Sequence, residues 1–221
     1  MRPSILPSPS DRPPPSWTRR AREALTDKLP MERLLPDRQP YYVGSWVYVF
    51  GVLTIAALIL TIASGVILAI AGPEWWHISS GGRFFNSLHF WSVQIFFLFM
   101  VLHLWGQYFM ASWRGGRAPT WMIGVVIFAV SIAAAFTGYL SQQNFASQLI
   151  AVNAKDALNS TGLGAFFNVL NFGQMYGIHV ALLPAAVIAL VALHVIWVRL
   201  KGVVPPIESK TPAQHQAAEG L

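Results

Sequence analysis

Four histidines stand inside otherwise apolar sequence: His89, His103, His179 and His194. An ionisable residue in a stretch long enough to cross a bilayer is costly to bury and marks a functional site. His89 and His103 are 14 residues apart, and His179 and His194 are 15 apart. In an α-helix, 14 steps return to within roughly 40° of the starting direction and 15 steps to within roughly 60°. Each pair therefore occupies one face of its own helix. A rise of about 1.5 Å per residue separates the members of a pair by about 21–22 Å. One histidine then lies toward each side of a roughly 30 Å hydrocarbon layer. Two imidazoles approaching from opposite sides suit the axial positions of a haem iron, whose other four positions the porphyrin fills. A zinc site takes three or four protein ligands, and no carboxylate or cysteine is at hand to complete one. A proton relay pairs its histidines with Asp or Glu, and the apolar stretches hold neither. Spacing and depth together predict two haems with the four histidines as the metal ligands, and no catalytic residue is assigned. His77 and His215 read as ordinary exposed or interfacial residues.

Such ligands need membrane-spanning helices to position them. Of the 221 residues, 54% are hydrophobic and only 11% charged, against roughly 25% charged in a soluble domain. From Gln39 to Val198 the charged residues are Glu74, Arg83, Arg114, Arg117, Lys155 and Asp156. Four spans fit between them, at about 44–71, 84–111, 120–141 and 176–200, each near the ~20 residues a bilayer crossing takes. The predicted fold is an all-α, integral membrane four-helix bundle enclosing two haems. Residues 1–40 read as a Pro/Arg-rich arm with a short amphipathic surface helix around Trp17–Leu35, and carry no signal-peptide pattern. Residues 41–202 form the bundle domain, and 203–221 a polar tail. The loop at 142–175 is long enough for short interfacial helices.

Lys and Arg divide unevenly between the two sides. The arm has eight, the 112–119 connection two and the tail three, against Arg83 and Lys155 on the other side. The positive-inside rule puts both termini in the cytoplasm, with a bacterial inner membrane as the expected location. The second and fourth spans then run parallel, diagonally opposed, so His89 pairs with His179 and His103 with His194. The net charge of +6 follows from this topology, and no nucleic-acid partner is implied. The absence of cysteine excludes disulfides, iron–sulfur ligation and thioether-linked haem within the chain.

The two spans without histidine carry glycines at matching spacing: Gly51 and Gly65 in the first, Gly124 and Gly138 in the third. Small residues also mediate helix packing in membranes. Their 14-residue repeat equals that of His89 and His103, which favours clearance for the edges of a macrocycle, because glycine lets a ligand approach the backbone.

The motifs His89-Phe-Trp-Ser with Leu102-His103, Arg117-Ala-Pro-Thr-Trp-Met-Ile-Gly124, Thr137-Gly138-Tyr139 and His179-Val-Ala-Leu-Leu-Pro184 resemble the N-terminal, four-helix part of cytochrome b from quinol–cytochrome c or plastocyanin oxidoreductases. The resemblance covers about residues 31–202 and is closest to the split, chloroplast-type form. It implies a low-potential haem at His89/His179, a high-potential haem at His103/His194, and quinone or quinol as substrate. It also implies a C-terminal cytochrome b-like membrane subunit, a Rieske iron–sulfur protein and a c-type cytochrome as partners, in a homodimeric complex. The chain departs from the family pattern where arginines usually stand, at Asn86, Gly106 and Gln174. Leu140-Ser-Gln-Gln replaces the usual Leu-Pro-Trp, and Val49 replaces the cysteine of an extra haem. Arg83, Arg114 and Arg117 are then the candidate partners for haem carboxylates.

The leading expectation is a di-haem electron-transfer subunit of a quinol-oxidising, cytochrome bc-like complex, not an enzyme alone. A di-haem anchor passing electrons between quinone and a different soluble oxidoreductase is the alternative. A small transporter or assembly factor would carry no haem.

Overall fold

The computed structural model describes residues 16–28, 34, 41–44 and 46–205. Residues 1–39 form a unit of their own, in which Trp17–Lys28 is a helix (α1) with Trp17 exposed. The remainder of the amphipathic segment expected up to Leu35 is described only at Leu34, and His215 and the tail beyond Pro205 lie outside the described residues.

Residues 40–221 form the second unit. Its helices are α2 (Trp46–Ala71), α3 (Pro73–Ile78), α4 (Ser80–Phe109), α5 (Ala118–Leu140) and α6 (Phe145–Ser160). The last span begins as α7 (Phe172–Gly177), passes through a π-helical turn at Ile178–Leu182, and continues as α8 (Leu183–Lys201). Four segments are long and apolar enough to cross a bilayer: α2, α4, α5 and the continuous Phe172–Lys201. No strand occurs among the described residues. The expected all-α four-span membrane bundle is thus the observed architecture. Inside lipid, helices satisfy every main-chain group internally. The hydroxyls of Thr54, Thr61 and Thr137 do likewise, donating to the carbonyls of Phe50, Ala57 and Ala133.

Local signals explain the ends. Ser79 caps α4 by accepting from Gly82 N at 2.8 Å, and Asn171 caps α7 by accepting from Gln174 N at 2.9 Å. Pro119 opens α5, where its missing N–H has no role. The long 142–175 connection holds α6, capped by Asn144. Leu140, Ala151, Val169 and Met175 anchor that connection in a small core of its own.

α2 packs closely along α4, and α5 along α8, while no comparable backbone packing joins α4 to α8. The end of α2 meets the start of α4, since Gly65 lies against His89 and Gly51 against His103. The same antiparallel relation holds for α5 and the last span, with Gly138 against His179 and Gly124 against His194. Tyr48, at the start of α2, donates to the carbonyl of Val204 beyond α8 at 2.5 Å. The second and fourth spans are therefore parallel and diagonally opposed, as predicted.

The central core takes residues from all four spans: Ala57 and Leu58, Phe96 and Met100, Ile127, and Val187. Each lies between the two histidine levels in its own helix. The two levels are thus separated by an apolar layer, while residues such as Ile59, Ile70 and Trp91 face outward. Burial of the layer supplies packing, and the outward side chains are matched to lipid rather than water.

Candidate functional site

His89 and His179 face each other with ring centres 6.2 Å apart and planes 79° apart. Imidazole nitrogens bound on opposite sides of a metal, each at about 2.0–2.1 Å, place their ring centres roughly 6 Å apart. The observed separation fits an axial pair. Both rings line a cavity of about 400 Å³, together with Thr61, Gly65, Ala134 and Gly138. No Lys, Arg, Asp or Glu lines it. Among the described residues, no three His, Cys, Asp or Glu converge, so a metal held here would draw its remaining ligands from a bound group.

The imidazoles are oriented by main-chain carbonyls. His89 Nδ1 donates to Thr61 O at 2.9 Å, His179 Nδ1 to Ala134 O at 2.9 Å and His194 Nδ1 to Thr120 O at 3.1 Å. A carbonyl can only accept, so Nδ1 carries the proton and Nε2 keeps its lone pair. That is the tautomer a metal-binding histidine needs, fixed by an outer partner. Ser64 adds a second contact to His89 Nδ1 at 3.1 Å, while its hydroxyl reaches Leu60 O and Thr61 O. His103 Nδ1 is buried with no hydrogen-bond partner among the described residues.

Each accepting residue stands four positions before a glycine: Thr61 before Gly65, Ala134 before Gly138, Thr120 before Gly124. A Cβ at Gly65 would lie 3.0 Å from His89 Cε1, and one at Gly51 3.1 Å from His103 Cε1. At Gly138 it would lie 2.8 Å from His179 Nε2, whereas at Gly124 it would lie 3.5 Å from His194 Cε1. The sequence assigns these four gaps to a macrocycle edge. In the structure an imidazole ring crowds the space a Cβ would take at Gly51, Gly65 and Gly138, and stands at ordinary contact distance from it at Gly124.

Helical arithmetic alone leaves the 15-residue spacing of His179 and His194 skewed relative to the 14-residue spacing in α4. The structure removes the skew. Gly124 and Gly138, 14 residues apart on a regular helix, each meet one of these histidines. The wider π turn at Ile178–Leu182, which contains His179, takes up the extra residue. Pro184 favours it there, having no N–H to give the Val180 carbonyl.

Each of the three arginines has main-chain contacts of its own. Arg114 donates to the Pro205 carbonyl. Arg117 donates to Gly202 O at 3.0 Å and Lys201 O at 3.2 Å. Arg117 thus serves the carbonyl-rich end of α8, a position the helix dipole favours for cations, and Arg114 the segment just beyond it. Arg83 lines a separate groove with Ser87 and Asn144 and approaches His77 O at 3.5 Å. His77 itself is exposed. The positions where the family has arginine are also accounted for. Gly106 packs against Val47, Gln174 accepts from Asn168 N at 2.7 Å, and Asn86 pairs with Gln142. Sequence reasoning did not find this amide pair or the three carbonyls, since main-chain acceptors leave no residue-type signature.

Fold and site together define a class: a multi-pass membrane helical bundle with histidines at two depths, one pair of them face to face. Residues 94–218, over half of the chain, match the model of the family described as cytochrome b (N-terminal)/b6/petB. The chain belongs to that family, which brings haem b binding and interaction with quinones. The menaquinol:cytochrome c reductase cytochrome b subunit of Bacillus subtilis (strain 168) is 25% identical, over 82% of this chain and 94% of the relative. Cytochrome b6 of Heliobacterium modesticaldum is 27% identical, over 72% of this chain and 85% of the relative. Among solved structures, a chain of a hyperthermophilic respiratory complex III shares the fold, with a TM-score of 0.64 and 22% identity. The match covers 80% of this chain and 56% of that one.

Proposed function

We propose that the chain is the di-haem cytochrome b subunit of a membrane quinol-oxidising complex of the cytochrome bc type. His89 and His179 would hold one haem, and His103 and His194 the other. A bound haem iron supplies one-electron redox chemistry. The protein's part is to hold Nε2 lone pairs inward, exclude water and keep the two levels about 21 Å apart along the helices. The single observation that carries this reading is the pairing of each histidine with a glycine on a neighbouring helix, at both levels. The likeness to the Bacillus subtilis subunit supports a quinol as electron donor. A Rieske protein, a c-type cytochrome and a C-terminal cytochrome b-like subunit are the corresponding partners in a homodimeric complex. The lopsided distribution of Lys and Arg supports a bacterial inner membrane location with both termini cytoplasmic.

The test is the reduced-minus-oxidised visible spectrum of the purified protein and its four His→Ala variants. Loss of His89 or His179 is expected to remove one b-type component, and loss of His103 or His194 the other. No b-type band at all, or one common component lost in all four variants, would overturn the assignment.

A further inference from the structure

The cavity between His89 and His179 is closed to charge, yet the ligand proposed for it is not uniformly apolar. One edge of a haem b carries two carboxylates. An ionised carboxylate taken from water without hydrogen-bond donors is strongly disfavoured. No Lys or Arg lines the cavity, so within it only neutral donors are available to that edge.

The structure offers one such pair at a defined place. Asn86 Nδ2 donates to Gln142 Oε1 at 3.1 Å, and Gln142 Nε2 donates to Asn86 Oδ1 at 3.1 Å. The pair joins α4 to the segment just beyond α5. An amide nitrogen has two N–H groups, so after this exchange each residue retains one N–H. Both residues line the cavity, and both also line the neighbouring groove that contains Arg83, as do Phe90 and Tyr139. The two amides thus supply the hydrogen-bonding part of the boundary between an uncharged cavity and the groove lined by Arg83.

Resting on the di-haem reading above, we propose that the Asn86–Gln142 pair is the carboxylate-receiving edge of the His89/His179 haem site, an uncharged receiver with Arg83 standing behind it. The remaining N–H of each amide takes a carboxylate oxygen, and Arg83 acts through that boundary rather than by direct pairing. A neutral receiver leaves the carboxylate charge less compensated than a guanidinium would. Uncompensated negative charge near the iron favours its oxidised form, so this arrangement holds the His89/His179 component at a lower potential than an arginine at 86 would.

The experiment uses the purified full-length haem-loaded protein. Redox titration follows the two b components separately, and reduced-minus-oxidised infrared difference spectra follow the carboxylate stretching bands. Asn86→Arg is expected to raise the midpoint of the component that His89→Ala removes, and Asn86→Asp to lower it, while the other component stays put. Asn86→Leu and Gln142→Leu are expected to shift the carboxylate bands. Gln94→Leu, which also lines the cavity but away from the amide pair, is expected to leave them unchanged. Unmoved bands in both Leu variants at 86 and 142, a shift in Gln94→Leu instead, or equal movement of both midpoints would overturn the proposal. Absence of any b-type band in the unsubstituted protein would instead overturn the haem reading on which it rests.

Discussion

Gly138→Ala puts a methyl group where the His179 ring already sits. The added Cβ would stand 2.8 Å from Nε2 and 2.9 Å from Nδ1. Ordinary carbon contacts are about 3.5–4.0 Å, so the ring must retreat by about 0.7 Å or more. It cannot do so freely, because Nδ1 is held by Ala134 O at 2.9 Å on the same helix, one turn away. Overpacking of this kind costs about 1–3 kcal/mol, or roughly a five- to 150-fold loss in the population with His179 in place. Gly124→Ala is the internal control. Its Cβ would lie 3.5 Å from His194 Cε1, an ordinary contact, so both b components should persist at full intensity. Gly65→Ala and Gly51→Ala, at 3.0 and 3.1 Å, should fall between. The assay is the haem-to-protein ratio and the reduced-minus-oxidised spectrum of each variant purified in parallel. A Gly124→Ala variant as depleted as Gly138→Ala, or a Gly138→Ala variant with both components intact, would refute the reasoning from imidazole clearance.

Ser64→Ala leaves His89 held by Thr61 O but removes the second acceptor at Nδ1. Weaker hydrogen bonding lowers the basicity of the ligand, so the His89/His179 component should shift to higher potential in a redox titration, with the other unchanged. Deleting Ala181 brings His179 and His194 to a 14-residue spacing, and the π turn is then no longer needed to align them. Both components are expected to survive, whereas inserting one alanine at the same place should cost the His179 component in the visible spectrum. Arg117→Gln loses the contacts to the end of α8. Being partly exposed, it should lower thermal stability in detergent by about 1 kcal/mol, with both b components retained. Loss of a component in that variant would return Arg117 to the haem carboxylates.

The sequence by itself determined the architecture. Runs of apolar residues at bilayer length admit little besides helices, because lipid offers main-chain groups no partner. The partition of Lys and Arg supported the count of four spans, and the spacing of His89, His103, His179 and His194 set two histidine levels. Helical periodicity links residues within one element and can be counted along the chain. Tertiary structure decided what meets across elements. The glycines of α2 and α5 proved to house imidazole rings, since only the packed bundle sets which atoms occupy a missing Cβ. The carbonyls of Thr61, Ala134 and Thr120, identical in every residue type, became visible only as hydrogen-bond acceptors. Arg114 and Arg117 were drawn to the end of α8, a helix terminus brought near them only by the return of the chain. The extra residue before His194 needed a π turn that no count of 3.6 residues per turn contains. Asn86 and Gln142, far apart in sequence and noted there only as separate departures from the family pattern, became a pair because α4 and the end of α5 lie side by side.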